Sequence, residues 1–360
     1  EITTEGRYPM ARFLLRRLVT SVVVLAGLAV VTFLMTQVLP GDPARTAAGR
    51  NATAEQVAQV RIQLGLDRPL WQQFTGYLDR LLHGDLGISV FTQRPVLDDI
   101  AAMLPSSVEL VLAAMAINIV VAVPLGVYAA YRRGRPADIA ARLIALLGAA
   151  VPVFWLGLML QLVFAAELRL LPLTGQLAFG QEVPRTTGMT SLDALLGGNL
   201  PAFGDALQHL ILPALTLAAS FVAVVARTVR SSMITALDSD YITLARATGA
   251  SEFRVVVRHG LRNAMVPAST ILGMQLGWML GSTVLVESIF GRTGIGAHAV
   301  AAVLQSDLYT VIGTVLVIGV VFVVANIAVD LIQLWLNPRL RRTKRRTGEP
   351  AVPVLAEVNA

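Results

Sequence analysis

Six stretches of this chain are each long and apolar enough to cross a bilayer, and that fact restricts the fold more than any other. They lie at about 15–38, 107–130, 139–165, 207–226, 266–289 and 309–334. A spanning helix needs about 20 mostly apolar residues. In hydrocarbon every backbone polar group must be paired within the chain, which leaves helices or closed barrels. Runs of this length, without the two-residue alternation of barrel strands, predict an all-α integral membrane protein with six transmembrane helices. The composition agrees. Only 14% of the 360 residues are charged, against about 25% in soluble domains. Pro124, Pro152 and Pro213 fall in or at the ends of spans, where neighbouring groups can satisfy the freed carbonyls.

The basic residues set the expected orientation. Most of the 29 lysines and arginines collect in the two termini and the even-numbered loops, so the positive-inside rule places both termini in the cytoplasm. The net charge of +6 is explained by this retention, and nucleic acid is not an expected partner. Met10 opens a basic segment followed by an apolar run too long for a cleavable signal. Residues 1–9 read as a polar tail, 10–38 as the first transmembrane helix, and 337–360 as a basic cytoplasmic tail. Arg341–Arg346 suits anionic headgroups without a specific ligand.

Residues 39–106 form an extracytoplasmic insertion. Within it 52–66 and 69–84 read as short amphipathic helices, either a cap over the substrate route or a packing lid. Residues 107–336 are the expected core, with a cytoplasmic loop at 231–263.

That loop interrupts the apolar pattern with YITLARATGASEFRVVVRHGLRN, residues 241–263. Asp238, Ser239 and Asp240 are good N-cap types. A helix from Tyr241 to Thr248 would end at Gly249 as a C-cap, and Ser251 could cap a second helix. In the second, Phe253, Val256, Val257 and Gly260 share an apolar face, and Arg254, Arg258 and Arg262 form a basic stripe beside it. Such a unit can lie on anionic lipid or dock into a partner, and two short helices at an angle suit a groove better than a flat surface.

Residues 245–264 resemble the cytoplasmic loop of binding-protein-dependent ABC importer permeases, more narrowly the first (B-type) permease of dipeptide/oligopeptide importers. The resemblance runs from Met10 to about Arg342. Leu39–Pro43, Leu64–Leu70, Gly84–Gly87, Leu104–Leu110, Glu287–Phe290 and Asn337–Arg339 follow in the family's order. Two departures stand out. Thr243, Leu244 and Ala245 replace the general Glu-Ala-Ala, and Arg262 stands where the general motif has proline, with Pro267 following later. Both variations occur in the peptide-type subfamily.

The resemblance implies a type I ABC importer permease fold, in the bacterial cytoplasmic membrane, carrying di- or oligopeptides. It implies a second homologous permease subunit, two P-loop ATPase subunits and an extracytoplasmic substrate-binding protein. Tyr241, Leu244, Arg246, Gly249, Phe253, Arg254, Val256, Val257 and Arg258 would then dock the ATPase. ATP and magnesium belong to those partners. This chain has a single lysine, Lys344, between Thr343 and Arg345, so a Walker A loop is impossible, and no cofactor is expected in it.

No nucleophile–base constellation stands out. His83, His209, His259 and His298 are scattered, there is no cysteine, and no metal-ligand spacing results. The chain reads as a transport subunit, not an enzyme. Asn51-Ala52-Thr53 matches a glycosylation acceptor by chance composition. Asn118, Gln161 and Gln275 are costly facing lipid. They line a translocation path or hydrogen-bond helix to helix. An ATP-independent secondary transporter or channel is the rival reading, but it would place carboxylates mid-span or show inverted repeats, and neither is evident.

Overall fold

The computed structural model describes residues 8–38, 43–49, 52–63 and 65–336. Residues 1–7, the Leu39–Asp42 part of the first motif, Asn51, Leu64 and everything from Asn337 onward, including the basic tail, lie outside the described residues. Among the described residues every regular element is helical, apart from one isolated bridge between Ile88 and Pro95.

Among the described residues five helices are long and apolar enough to cross a membrane, or six spans when a bent pair is counted as one. The crossings are α1 (Tyr8–Val38), α5 (Val96–Tyr131), the pair α6 (Pro136–Ala150) and α7 (Val153–Leu160), α9 (Leu200–Leu237), α11 (Arg262–Phe290) and α13 (Leu308–Leu336). Short helices α2 (Pro43–Ala48), α3 (Ala54–Gln63) and α4 (Leu70–Leu82) build the insertion. The remaining elements are α8 (Thr190–Leu196), α10 (Asp240–Ala247) and α12 (Ile295–Leu304).

The third crossing departs from the expected single span. It is bent by 98° between Gly148 and Val153. Pro152 explains the break: it lacks an N–H, and its ring forces Val151 into an extended conformation, observed at φ −77°, ψ 129°. After Leu160 the helix widens into a π turn over Gln161–Glu167. The second span also starts earlier than expected, since α5 begins at Val96, within the expected insertion.

Small residues let the long helices approach. A Cβ on Gly126 of α5 would lie 2.6 Å from the Ala226 carbonyl oxygen of α9. On α11, a Cβ on Gly273 or Gly277 would lie 2.0 Å from Val329 or Phe322 of α13. This is the small-residue packing of helices that have no hydrophobic drive to associate in lipid. Gly277→Leu is therefore expected to lower stability by about 1–3 kcal/mol through overpacking. Gly281→Ala, in open space, should be neutral. Thermal unfolding of the two variants in one detergent checks this, and equal midpoints would refute it.

α1 packs on α13, with Leu28 over Gly319 and Arg17 paired with Asp330. The insertion is tied down at two points. Phe74 of α4 meets Phe33 of α1 edge-on and Tyr77 packs tilted against it, and the Tyr77 hydroxyl meets Thr32 Oγ1 at 2.8 Å. Asp307 receives Ser89 Oγ and the Val90 N–H at 2.6 and 3.1 Å, while also capping α13 through the Thr310 N–H. α6 is held by Asp138, which accepts Arg230 Nε and Nη2, both at 2.7 Å.

Candidate functional site

The loop between α9 and α11 is built around Gly249. α10 ends at Ala247 with Thr248 as its C-cap, and Gly249 adopts φ +82°. The Gly249 N–H donates to the Arg246 carbonyl and the Ala250 N–H to the Ala245 carbonyl, at 3.0 and 3.1 Å. These two bonds define a Schellman cap, which needs a left-handed residue at this position. Nothing lies within 4 Å of a Cβ placed on Gly249, so the constraint is the backbone angle, not space. The N-cap position falls on Ser239, as the sequence suggests, but its hydroxyl bonds to the Ala236 carbonyl instead of to the helix it precedes.

Across the turn, Arg246 holds Glu252 with both arms, Nε–Oε1 at 2.9 Å and Nη2–Oε2 at 3.4 Å. Asn263 Nδ2 donates to the Tyr241 hydroxyl at 2.8 Å. The two limbs of the loop are thus clipped to each other. Ile242 and Val255 are buried beneath them, while Leu244 and Phe253 are 65% and 78% exposed. Tyr241 and Val257 are also exposed, as are Arg254 and Arg258, and Val256 is half-buried.

Two expectations are corrected here. The second limb is not a separate short helix: it runs without a break from Arg254 through α11 to Phe290. Its first turns, Arg254–Leu261, are π-helical. The wider turn buries Val255 and Gly260, five residues apart, and so splits the four residues expected on one apolar face: Gly260 is buried, Val256 is half-buried, and Phe253 and Val257 are exposed. Phe253 and Val257 consequently point away from this chain. The result is a patch of apolar side chains beside exposed arginines, which nothing else in the described chain covers.

The three amides considered for the path are all buried. Asn118 Nδ2 donates to Gln275 Oε1 at 2.8 Å, and Gln275 Nε2 donates to the Phe221 carbonyl at 3.2 Å, joining α5, α9 and α11. Gln161 stands apart. Its Nε2 donates to the Leu173 and Ile289 carbonyls at 2.9 and 3.1 Å.

A third feature went unread as a unit. On the side of the bundle opposite the Gly249 loop, Ser107 Oγ donates to Glu287 Oε1 at 2.5 Å, and Glu287 Oε2 accepts the N–H groups of Gly296 and Ala297 at the start of α12. Glu109 accepts Arg292 Nη2 at 3.1 Å and the Ser191 N–H at 2.7 Å. Both ion-pair partners are nearly inaccessible. A Cβ on Gly294 would lie 2.3 Å from the Glu287 carboxylate, which is why that position is glycine. This belt ties α5, α8, α11 and α12 together. The sequence signal was there: two carboxylates at the ends of apolar runs need partners, and Arg292 follows Glu287 closely.

Beside the belt, Asp193 organises the loop before α8. Burial pushes its carboxyl up, but the Thr187 hydroxyl and the N–H groups of Thr187, Gly188 and Thr186 outweigh this and hold it below the ordinary value of 3.8. A depressed folded value means that its stabilisation is complete above about pH 3.8 and is lost as pH falls through the lower folded value. Protection of the amides of residues 186–193, measured against their intrinsic exchange rates, is expected to fall only in that acid window. Asp193→Asn should remove the pH dependence; an unchanged profile in that variant would refute it.

Known proteins match most of the chain. The family model described as binding-protein-dependent transport system inner membrane component matches residues 122–342, and its N-terminal companion matches 10–111. A probable D,D-dipeptide transport system permease protein of Escherichia coli strain K12 is 42% identical over 322 residues, covering 89% of this chain and 95% of the relative. The dipeptide transport system permease protein of the same strain is 38% identical, covering 93% and 100%. A glutathione transport system permease protein of Escherichia coli O6:H1 is 36% identical, covering 92% and 99%.

Proposed function

The chain belongs to the family of binding-protein-dependent transport system inner membrane components, and from that premise we propose that it is one permease subunit of an ATP-driven importer of short peptides. It is a multi-pass inner-membrane protein. The relatives named for D,D-dipeptide, dipeptide and glutathione transport share a peptide-sized cargo, and similarity to them at 36–42% identity over about nine-tenths of the chain supports the same class here.

The observation that carries the mechanism is the uncovered patch of Leu244, Phe253 and Val257 beside Arg254 and Arg258. Exposed apolar side chains rimmed by charge mark a protein contact. The occupant is a separate P-loop ATPase, since this chain cannot form a phosphate-binding loop. Tyr241, Leu244, Phe253, Val256 and Val257 are the apolar anchors, with Arg254 and Arg258 as the polar rim. Arg246 and Gly249 act inside the loop, holding its two limbs at their angle. Both termini lie on this cytoplasmic side, a second permease completes the path, and an extracytoplasmic binding protein delivers the peptide. Asn118, Gln161 and Gln275 hold the helices that flank the path. One observation favours their lining it instead: Asn118 Oδ1 is buried with no hydrogen-bond partner among the described residues.

The test is purification of this chain from its native membrane in mild detergent. A P-loop ATPase is expected to accompany it, and Leu244→Asp with Phe253→Asp should abolish that association while the chain remains inserted. If the chain purifies alone and moves solute in liposomes without ATP, the importer reading fails.

A further inference from the structure

Where α5 ends, α6 begins and α9 leaves its apolar stretch, small side chains open a cavity of about 360 Å3. Gly126, Ala129, Ala141 and Ala226 leave the room, and three guanidinium groups line it, those of Arg142, Arg227 and Arg230. A single carboxylate answers them. Asp138 is almost fully buried, gripped by Arg230 and approached by Arg142 Nε at 3.4 Å. The Arg227 side chain is exposed and makes no hydrogen bond or ion pair with any described residue. Three cations and one anion leave two positive charges unbalanced.

The level of the cavity is set by the sequence. The apolar run 207–226 is the length of a hydrocarbon core, so Arg227, the next residue, stands at the boundary with the headgroups. Beside the mouth, α6 turns Leu143, Ile144 and Leu147 outward, each more than half exposed. A soluble anion gains nothing from such walls. A molecule with a phosphate at one end and hydrocarbon at the other gains from both. Basic pockets between transmembrane helices on the cytoplasmic side take anionic lipid headgroups for this reason.

We propose that this cavity binds the headgroup of one anionic phospholipid, its phosphate between Arg227 and Arg142 and its acyl chains along the outer face of α6. Arg230 stays on Asp138 and positions the wall.

The whole transporter complex, purified in mild detergent, is offered equal amounts of phosphatidylglycerol and phosphatidylethanolamine, and native mass spectrometry counts the retained lipid. The unaltered protein is expected to retain phosphatidylglycerol in preference. Arg142→Gln and Arg227→Gln should each weaken retention about fivefold, or about 1 kcal/mol per charge near a bilayer surface, and Arg227→Lys should preserve it. The double variant keeps the Arg230–Asp138 pair, so folding is maintained. Equal retention of the two lipids, or unchanged retention in the double variant, overturns the proposal. Displacement by inorganic phosphate would make the site one for a soluble anion. A photocrosslinker at Leu147 that captures a second permease subunit instead of lipid would make the face a protein contact. Either result also overturns it.

Discussion

Glu109→Ala is expected to destabilise the folded chain by about 3–5 kcal/mol, the usual result of removing one member of a buried ion pair. The size follows from what remains. Arg292 is 2% exposed, and its side chain would keep its charge with no carboxylate within reach except Glu287, already occupied by Ser107 and two backbone N–H groups. The Ser191 N–H and hydroxyl would also lose their acceptor. Replacing both partners by apolar residues, Glu109→Leu with Arg292→Met, should recover much of the loss, because neither charge is then stranded. Thermal unfolding in a single detergent, read by tryptophan fluorescence, separates the cases. If the single and double variants unfold together within about 0.5 kcal/mol, the pair is not what holds the belt.

Gly249→Val should abolish most ATP-driven peptide uptake while the chain still inserts. A non-glycine residue in the left-handed region costs about 1–2 kcal/mol, and a β-branched residue is among the worst placed there. One to two kcal/mol is a 5–30-fold shift in an equilibrium, here between the clipped loop and an opened one. Because no atom lies near the Cβ position, Gly249→Asn, which tolerates this conformation, should retain most uptake. Uptake and ATPase rate are measured together in proteoliposomes. Full uptake by the valine variant would remove Gly249 from the mechanism. Equal loss in the asparagine variant would point to space, not backbone angle.

The crossings, α3, α4 and α10 were legible because each carries its own signal: apolar length for the crossings, period for α3 and α4, and the cap sequence for α10; the short α2, α8 and α12 carry none of these and were not anticipated. What the sequence hid depends on partners or on local geometry. Ser107 and Glu287 are 180 positions apart, and no pattern in either neighbourhood names the other. Arg230 read as one more cytoplasmic charge, yet it is the clamp on Asp138. The segment after Gly249 was read on a regular helical period, and the widened turn splits the face that period gives, burying Gly260 together with Val255 while Phe253 and Val257 stay exposed. Pro152 was noted as tolerable in a span, as many are. Its effect depended on whether the freed groups found support, and here the chain bends instead. Of the candidate residues, those in the loop were placed together on an uncovered surface, whereas Asn118 and Gln275 were brought together in the interior and Gln161 was not.

The unbroken run from Arg254 to Phe290 makes the loop and the belt two ends of one lever. Thirty-seven residues at 1.5 Å each span about 55 Å, with Phe253 just before one end and Glu287 near the other. A tilt of about 5° about the Arg254 end of a rod that long carries the far end by about 5 Å, enough to part Glu287 from Ser107 and from the start of α12. Such a rod needs no relay of side chains along its length: under the docking role proposed for the loop, a push beside Phe253 and the parting of Glu287 from Ser107 become one displacement, read at two ends.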